Sequence, residues 1–145
     1  MQFTTALLTA LLAASSTLAA PSPLKGAAAA KTWTLTSFTR TCNGADTSCK
    51  YTFGIDGHDG KPVVACTYTV TAGSEASRAN GGPAACGRYI VTSGWSGQFD
   101  VGFTTLAVKD EAAGLIAFPA YTDPSLVNGK AVVPDLSPRV ETWDF

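Results

Sequence analysis

An all-β fold is what this sequence predicts: a small antiparallel β-barrel or sandwich of six to eight strands, with one short helix and two disulfides. Three observations carry that expectation. Large apolar residues alternate with threonines at a period of two, the spacing that puts one face of a strand inward. Gly, Asn and Pro turn signals interrupt the chain at short intervals. Four cysteines, Cys42, Cys49, Cys66 and Cys86, are enough to brace a modest core.

The strands are read in order. Trp33 and Leu35 alternate with threonines, and Phe38 falls out of phase, which predicts a bulge near Ser37. Tyr51, Phe53 and Ile55 alternate, as do Val64, Cys66, Tyr68 and Val70, with Thr67, Thr69 and Thr71 on the opposite face. Tyr89–Thr92, Phe103–Val108, Leu115–Phe118 and Lys130–Val133 complete the set. Asp123 can cap a short helix, with Pro124 in its first position, Leu126 and Val127 as its apolar side and Gly129 as its stop.

Residues 1–19 have the grammar of an export signal. A short apolar run, Ala6–Ala14, is followed by Thr17-Leu18-Ala19, small at both recognition positions. The run is too short to span a bilayer, which needs roughly 20 apolar residues. The n-region carries no Lys or Arg. Residues 20–31, with Pro21, Pro23 and Ala27 to Ala30, read as a flexible leader, and residues 32–145 as a single β domain. Asn43, Asn80 and Asn128 are each followed by Gly, so no N-glycosylation sequon occurs. A net charge of −1 without basic runs disfavours nucleic-acid binding and docking on anionic lipid.

An exported chain with an even cysteine count is expected to hold all four in disulfides. Three pairings are possible. Geometry favours Cys42 with Cys49, which flank the turn residues Asn43 to Asp46, and therefore Cys66 with Cys86. A single histidine and the absence of C-x-x-C argue against zinc, and no metal or cofactor is expected.

Catalysis is not expected either. His58 stands in Asp56-Gly57-His58-Asp59-Gly60, residues typical of a hairpin loop, and no G-x-S-x-G context accompanies it. Asp110-Glu111 reads as a solvated turn rather than a glycosidase pair. Two segments suit binding better. Gly73 to Ala85 reads as a thirteen-residue loop ending at a cysteine, with Arg78, Asn80, Gly81 and Gly82 near its tip. Ser93 to Phe99 presents Trp95 between glycines. The two flank one strand and would ordinarily lie at opposite ends of the sheet, so one shared binding edge requires the long loop to fold back along that strand.

At these residues a family resemblance arises. Trp33-Thr-Leu-Thr-Ser-Phe-Thr-Arg-Thr-Cys42, Asn80-Gly-Gly-Pro-Ala-Ala-Cys86, Val91-Thr-Ser-Gly-Trp-Ser-Gly-Gln-Phe99, Gly102-Phe-Thr-Thr-Leu106 and Ala117-Phe-Pro-Ala-Tyr-Thr-Asp123 resemble small secreted effector-type proteins of filamentous fungi. Within that class the chain is similar to a rice blast fungus effector that inhibits a papain-like host protease. The architecture is similar to the Alternaria major-allergen type of β-barrel, although the cysteine spacing departs from that pattern and no dimer is carried over. The resemblance implies a non-enzymatic effector in the host apoplast that binds a host secreted protein, with a papain-like cysteine protease as the expected partner. A surface-recognised elicitor, or a wall- or carbohydrate-associated protein using Trp95 and Tyr121, is the alternative.

Overall fold

The computed structural model describes residues 31–144. The export signal and all of the leader except Lys31 lie outside the described residues. Nine strands form two antiparallel sheets packed face to face. The first sheet runs in the order β1 (Thr34–Cys42), β2 (Ser48–Asp56), β3 (Val64–Thr71). The second contains β4 (Gly81–Cys86), β5 (Tyr89–Ser96), β6 (Phe103–Asp110), β7 (Leu115–Ala117) and β9 (Val140–Thr142), with β8 (Ala120–Thr122) also pairing β6. The result is an all-β sandwich.

The period-two pattern decides which side chains go in. Cys49, Tyr51, Phe53 and Ile55 of β2 are buried, as are Cys66, Tyr68 and Val70 of β3. The register sets Tyr51 opposite Tyr68, and their rings stack at 4.9 Å. Leu106 and Val108 of β6 and Val91 of β5 close the core from the other sheet. Phe38 stacks on Tyr121 at 3.9 Å, and Trp33 meets Tyr89 edge-on at 5.0 Å. Burying such rings contributes both apolar area and aromatic contact.

The bulge near Ser37 is present: the β1–β2 register shifts between Thr36 and Thr39, and Ser37 has φ of 51°. Its freed N–H donates to Asp135 Oδ1 at 2.8 Å, so the break in the ladder leaves no orphan there. The cysteines pair as Cys42–Cys49 and Cys66–Cys86, and none is free.

Several expectations need correction. Among the described residues nine strands replace six to eight, because β4 has the composition of a loop and β8 and β9 are only three residues each. Lys130–Val133 is not a strand; it meets β1 through the Thr39–Ala131 bridge and the Val132 N–H bonded to the Phe38 carbonyl. The bulge in β1 and the missing N–H of Pro134 keep that contact from extending into a ladder. The expected helix is a 3₁₀ turn over Asp123–Ser125. Leu126 is buried, but Val127 is exposed, and the Gly129 N–H bonds to the Arg40 carbonyl rather than within a helix.

The two disulfides differ in what they close. Cys42–Cys49 staples one hairpin, whereas Cys66–Cys86 joins β3 of one sheet to β4 of the other. Loop-closure entropy puts the losses at about 2.5 kcal/mol for the Cys42→Ala/Cys49→Ala pair and about 3 for Cys66→Ala/Cys86→Ala. Urea denaturation checks the order, and the Cys66/Cys86 variant is expected to be the less stable.

Candidate functional site

The β3–β4 connection is shorter than its composition suggests. Residues 81–86 are strand, so the connection is residues 72–80, containing a 3₁₀ turn over Ala76–Arg78. Asp46 of the β1–β2 turn holds that turn in place. Its backbone carbonyl accepts from the Ala76 N–H at 2.8 Å, Oδ1 from the Ser77 N–H at 2.9 Å, and Oδ2 from the Ser77 hydroxyl at 2.6 Å. Arg40 donates to the Ser77 carbonyl at 3.1 Å. Ala76 is fully buried beneath.

This anchoring delivers Arg78 to Trp95. The guanidinium lies 5.0 Å from the centroid of the indole ring and is also paired with Glu75. On its other edge Trp95 donates Nε1–H to Asp123 Oδ2 at 3.0 Å, and Arg40 lies 3.8 Å from Asp123 Oδ1. Asn80 sits beside Gly94, where a Cβ would lie 3.3 Å from its Oδ1. Arg78, Asn80 and Trp95 therefore share one end of the sandwich. They are brought together because β5 runs antiparallel along β4 and returns the chain to the end where β4 began; Gly81 pairs with Ser93. No back-folding of a long loop is involved.

Gly81 and Gly82 do not form a projecting tip. A Cβ on Gly81 would come within 2.5 Å of Val70 Cγ2 and 2.7 Å of Ser93 Oγ. Gly82 has φ of 82°, and a Cβ there would collide with the Val91 carbonyl oxygen. Both positions need glycine so that β4 can approach β3 and β5. Cys42, Cys49, Cys66 and Cys86 are structural. Asp46 lies against Cys42 and Cys49, but sulfurs joined in a disulfide offer no thiolate to a metal.

Beside the Arg78–Trp95 pair an open groove of ≈ 420 Å³ runs over the outer face of the second sheet, with Thr92, Gly94, Thr105 and Ala107 in its lining and Asn80 and Phe118 beside them. A second cavity of ≈ 440 Å³ is lined by Lys31, Asp59, Lys61, Arg88 and Asp110. Arg88 pairs there with Asp59 and stands 3.5 Å from Asp110, so its charge is neutralised from within. The hydrogen bond from Arg88 holds the Asp59 carboxyl below its usual range. His58 Nε2 is 2.7 Å from Thr34 Oγ1, and Thr34 Oγ1 is 2.7 Å from Ser137 Oγ, tying the β2–β3 turn to the C-terminal segment. Asp56 Oδ2 stands 3.6 Å from His58 Nδ1, too far for a hydrogen bond. Tyr121 is buried under Phe38, which removes it from any sugar-binding platform with Trp95.

Comparison with known proteins places the chain in a family. The family model described as Effector TSP1 matches residues 34–143, which takes in both sheets and the whole Arg78–Trp95 end. The chain belongs to the Effector TSP1 family. A relative named Effector TSP1 from Hypocrea virens (strain Gv29-8 / FGSC 10586) is 48% identical over 141 residues, covering 94% of this chain and 95% of the relative. The sequence reading missed Asp123, the acceptor that orients Trp95. Its signal was present in the expected N-cap, but it pointed to helix capping rather than to an indole.

Two measurements test this construction. Gly82→Ala is expected to destabilise the domain by more than about 1 kcal/mol, read from denaturant unfolding, because it adds a Cβ at positive φ against backbone. The second concerns Asp46, whose carboxyl is held below its usual range, chiefly by the hydrogen bond from the Ser77 hydroxyl. A carboxyl that titrates lower folded than unfolded contributes stability above its unfolded pKa and loses it as pH falls through the lowered value. Thermal melts from about pH 7 down to about pH 3 should therefore show a smaller fall in Tm for Asp46→Asn than for wild type.

Proposed function

We propose that this chain is a secreted, non-enzymatic fungal effector that binds a host apoplastic protein, a papain-like cysteine protease, and inhibits it. The observation that carries the reading is the convergence of Arg78, Asn80 and Trp95 on one braced end of a domain in an effector family. Arg and Trp are favoured interface anchors. A connection already fixed by Asp46 and Arg40 has little entropy left to lose on binding.

Export is supported by the signal grammar of residues 1–19 and by two disulfides, which persist in oxidising compartments. A non-enzymatic role is supported by the self-paired charges around Arg88 and by the setting of His58, in an exposed turn at φ of 51°. No cofactor is invoked. Gly81 and Gly82, as parts of β4, support the binding edge from beneath rather than entering a cleft.

The test is a pull-down from plant apoplastic fluid with the mature protein, followed by mass spectrometry. A papain-like protease is expected among the retained proteins, with at least about tenfold less of it on Trp95→Ala. Retention of no protease, with immune responses still triggered by the purified chain, would replace this reading with that of a surface-recognised elicitor.

A further inference from the structure

The β5–β6 turn, residues 97–102, carries the most exposed aromatic side chain among the described residues. Phe99 is 69% exposed, and Val101 beside it is 44% exposed. An exposed phenyl ring is stabilised when a partner buries it. Phe99 is not loose: its ring stacks on Phe103 of β6 at 5.8 Å.

The root of the turn is fixed on Trp95. A Cβ on Gly97 would come within 2.5 Å of Trp95 Cη2, and one on Gly102 within 2.8 Å of Trp95 Cζ2. Both glycines are therefore required for the chain to close against the indole ring. The Gly102 carbonyl accepts from the Asp123 N–H at 2.8 Å, and the Asp123 carboxylate in turn accepts from the indole. Gln98 N–H bonds to Ser96 Oγ at 3.3 Å. Arg78 covers another part of the same ring. The Arg78–Trp95–Asp123 contacts thus serve as a footing for an exposed turn with an apolar apex.

We infer that this turn is the element that enters the partner's cleft, with Phe99 as the inserted side chain and an apolar subsite about one aromatic ring wide as its receptor. The inference rests on the protease-binding reading above and names the part of the surface that does the work. A protein cleft is the occupant that fits. The turn is exposed, its apex is apolar, and it carries a single charge, Asp100, with no cation to attract phosphate. The preformed root means that little ordering is needed on insertion. Phe118, also exposed, lies in the lining of the groove and not on the turn.

Papain is the probe, and the mature full chain is the inhibitor. Phe99→Ala is expected to raise the inhibition constant by at least about tenfold. Phe99→Leu, which keeps an apolar apex, should stay within about threefold of wild type, and Phe118→Ala should do the same. Melting temperatures should be unchanged, since both side chains are exposed. If Phe99→Ala inhibits as well as wild type, or if Phe118→Ala loses as much, the turn is not the inserted element, while the protease reading stands. If the wild-type chain does not inhibit papain at micromolar concentration, the inserted turn and the protease reading fall together.

Discussion

Between β3 and β4 the two sheets meet with no ladder joining them, and the Cys66–Cys86 disulfide crosses that gap. Close approach is possible because β4 and its turn present glycine there. Gly81 lies against Val70 and Tyr68, and a Cβ on Gly87 would come within 2.8 Å of Val64 Cγ1. Pro83 within β4 offers no N–H, which suits a strand at the end of its sheet's pairing order. The covalent bond, together with side-chain packing across the seam, does what a hydrogen-bond ladder does elsewhere. Everything that follows depends on where this places β4, because β4 determines where the β3–β4 connection delivers Arg78.

At that end of the molecule three separate turns are tied together by a few polar and aromatic contacts. Asp46 grips the 3₁₀ turn, Arg78 covers Trp95, and Trp95 is held by Asp123. Individually such exposed contacts are worth about 1 kcal/mol or less. Their effect is geometric: each removes freedom from a segment that would otherwise move. Beneath them, burial raises the Tyr51, Tyr68 and Tyr121 phenols above their ordinary range, so these groups remain neutral. Elsewhere, Asp135 bonds to the Ser37 bulge and Ser137 to Thr34, fastening the C-terminal segment along β1.

Much of the first sheet was legible from periodicity. Tyr51, Phe53 and Ile55, and Cys66, Tyr68 and Val70, are inward as their alternation requires, and the phase slip at Phe38 marked a real bulge. The Cys42–Cys49 bridge followed from two strand ends around a turn. The second sheet was less legible. The Gly-Gly-Pro start of β4 has the composition of a loop, and β8 and β9 are only three residues each. Strands like these exist because a neighbour supplies the pairing, a fact no local window contains.

The same division runs through the site. The residue types there, an arginine and an asparagine near glycines and a tryptophan between glycines, are written in the chain, and local chemistry is enough to mark them as candidates for binding. By itself the sequence also determined the all-β class, the alternation of the core strands and the turn-flanking cysteines, because all of these depend on neighbours a few residues apart. Tertiary structure decided that Gly81 and Gly82 lie in a strand, that Tyr121 is buried under Phe38, and that Trp95 is held between Arg78 and Asp123. Those outcomes depend on contacts between residues well separated in the chain, such as Trp95 and Asp123, 28 positions apart. Pairing across such distances is chosen by the packing of whole sheets.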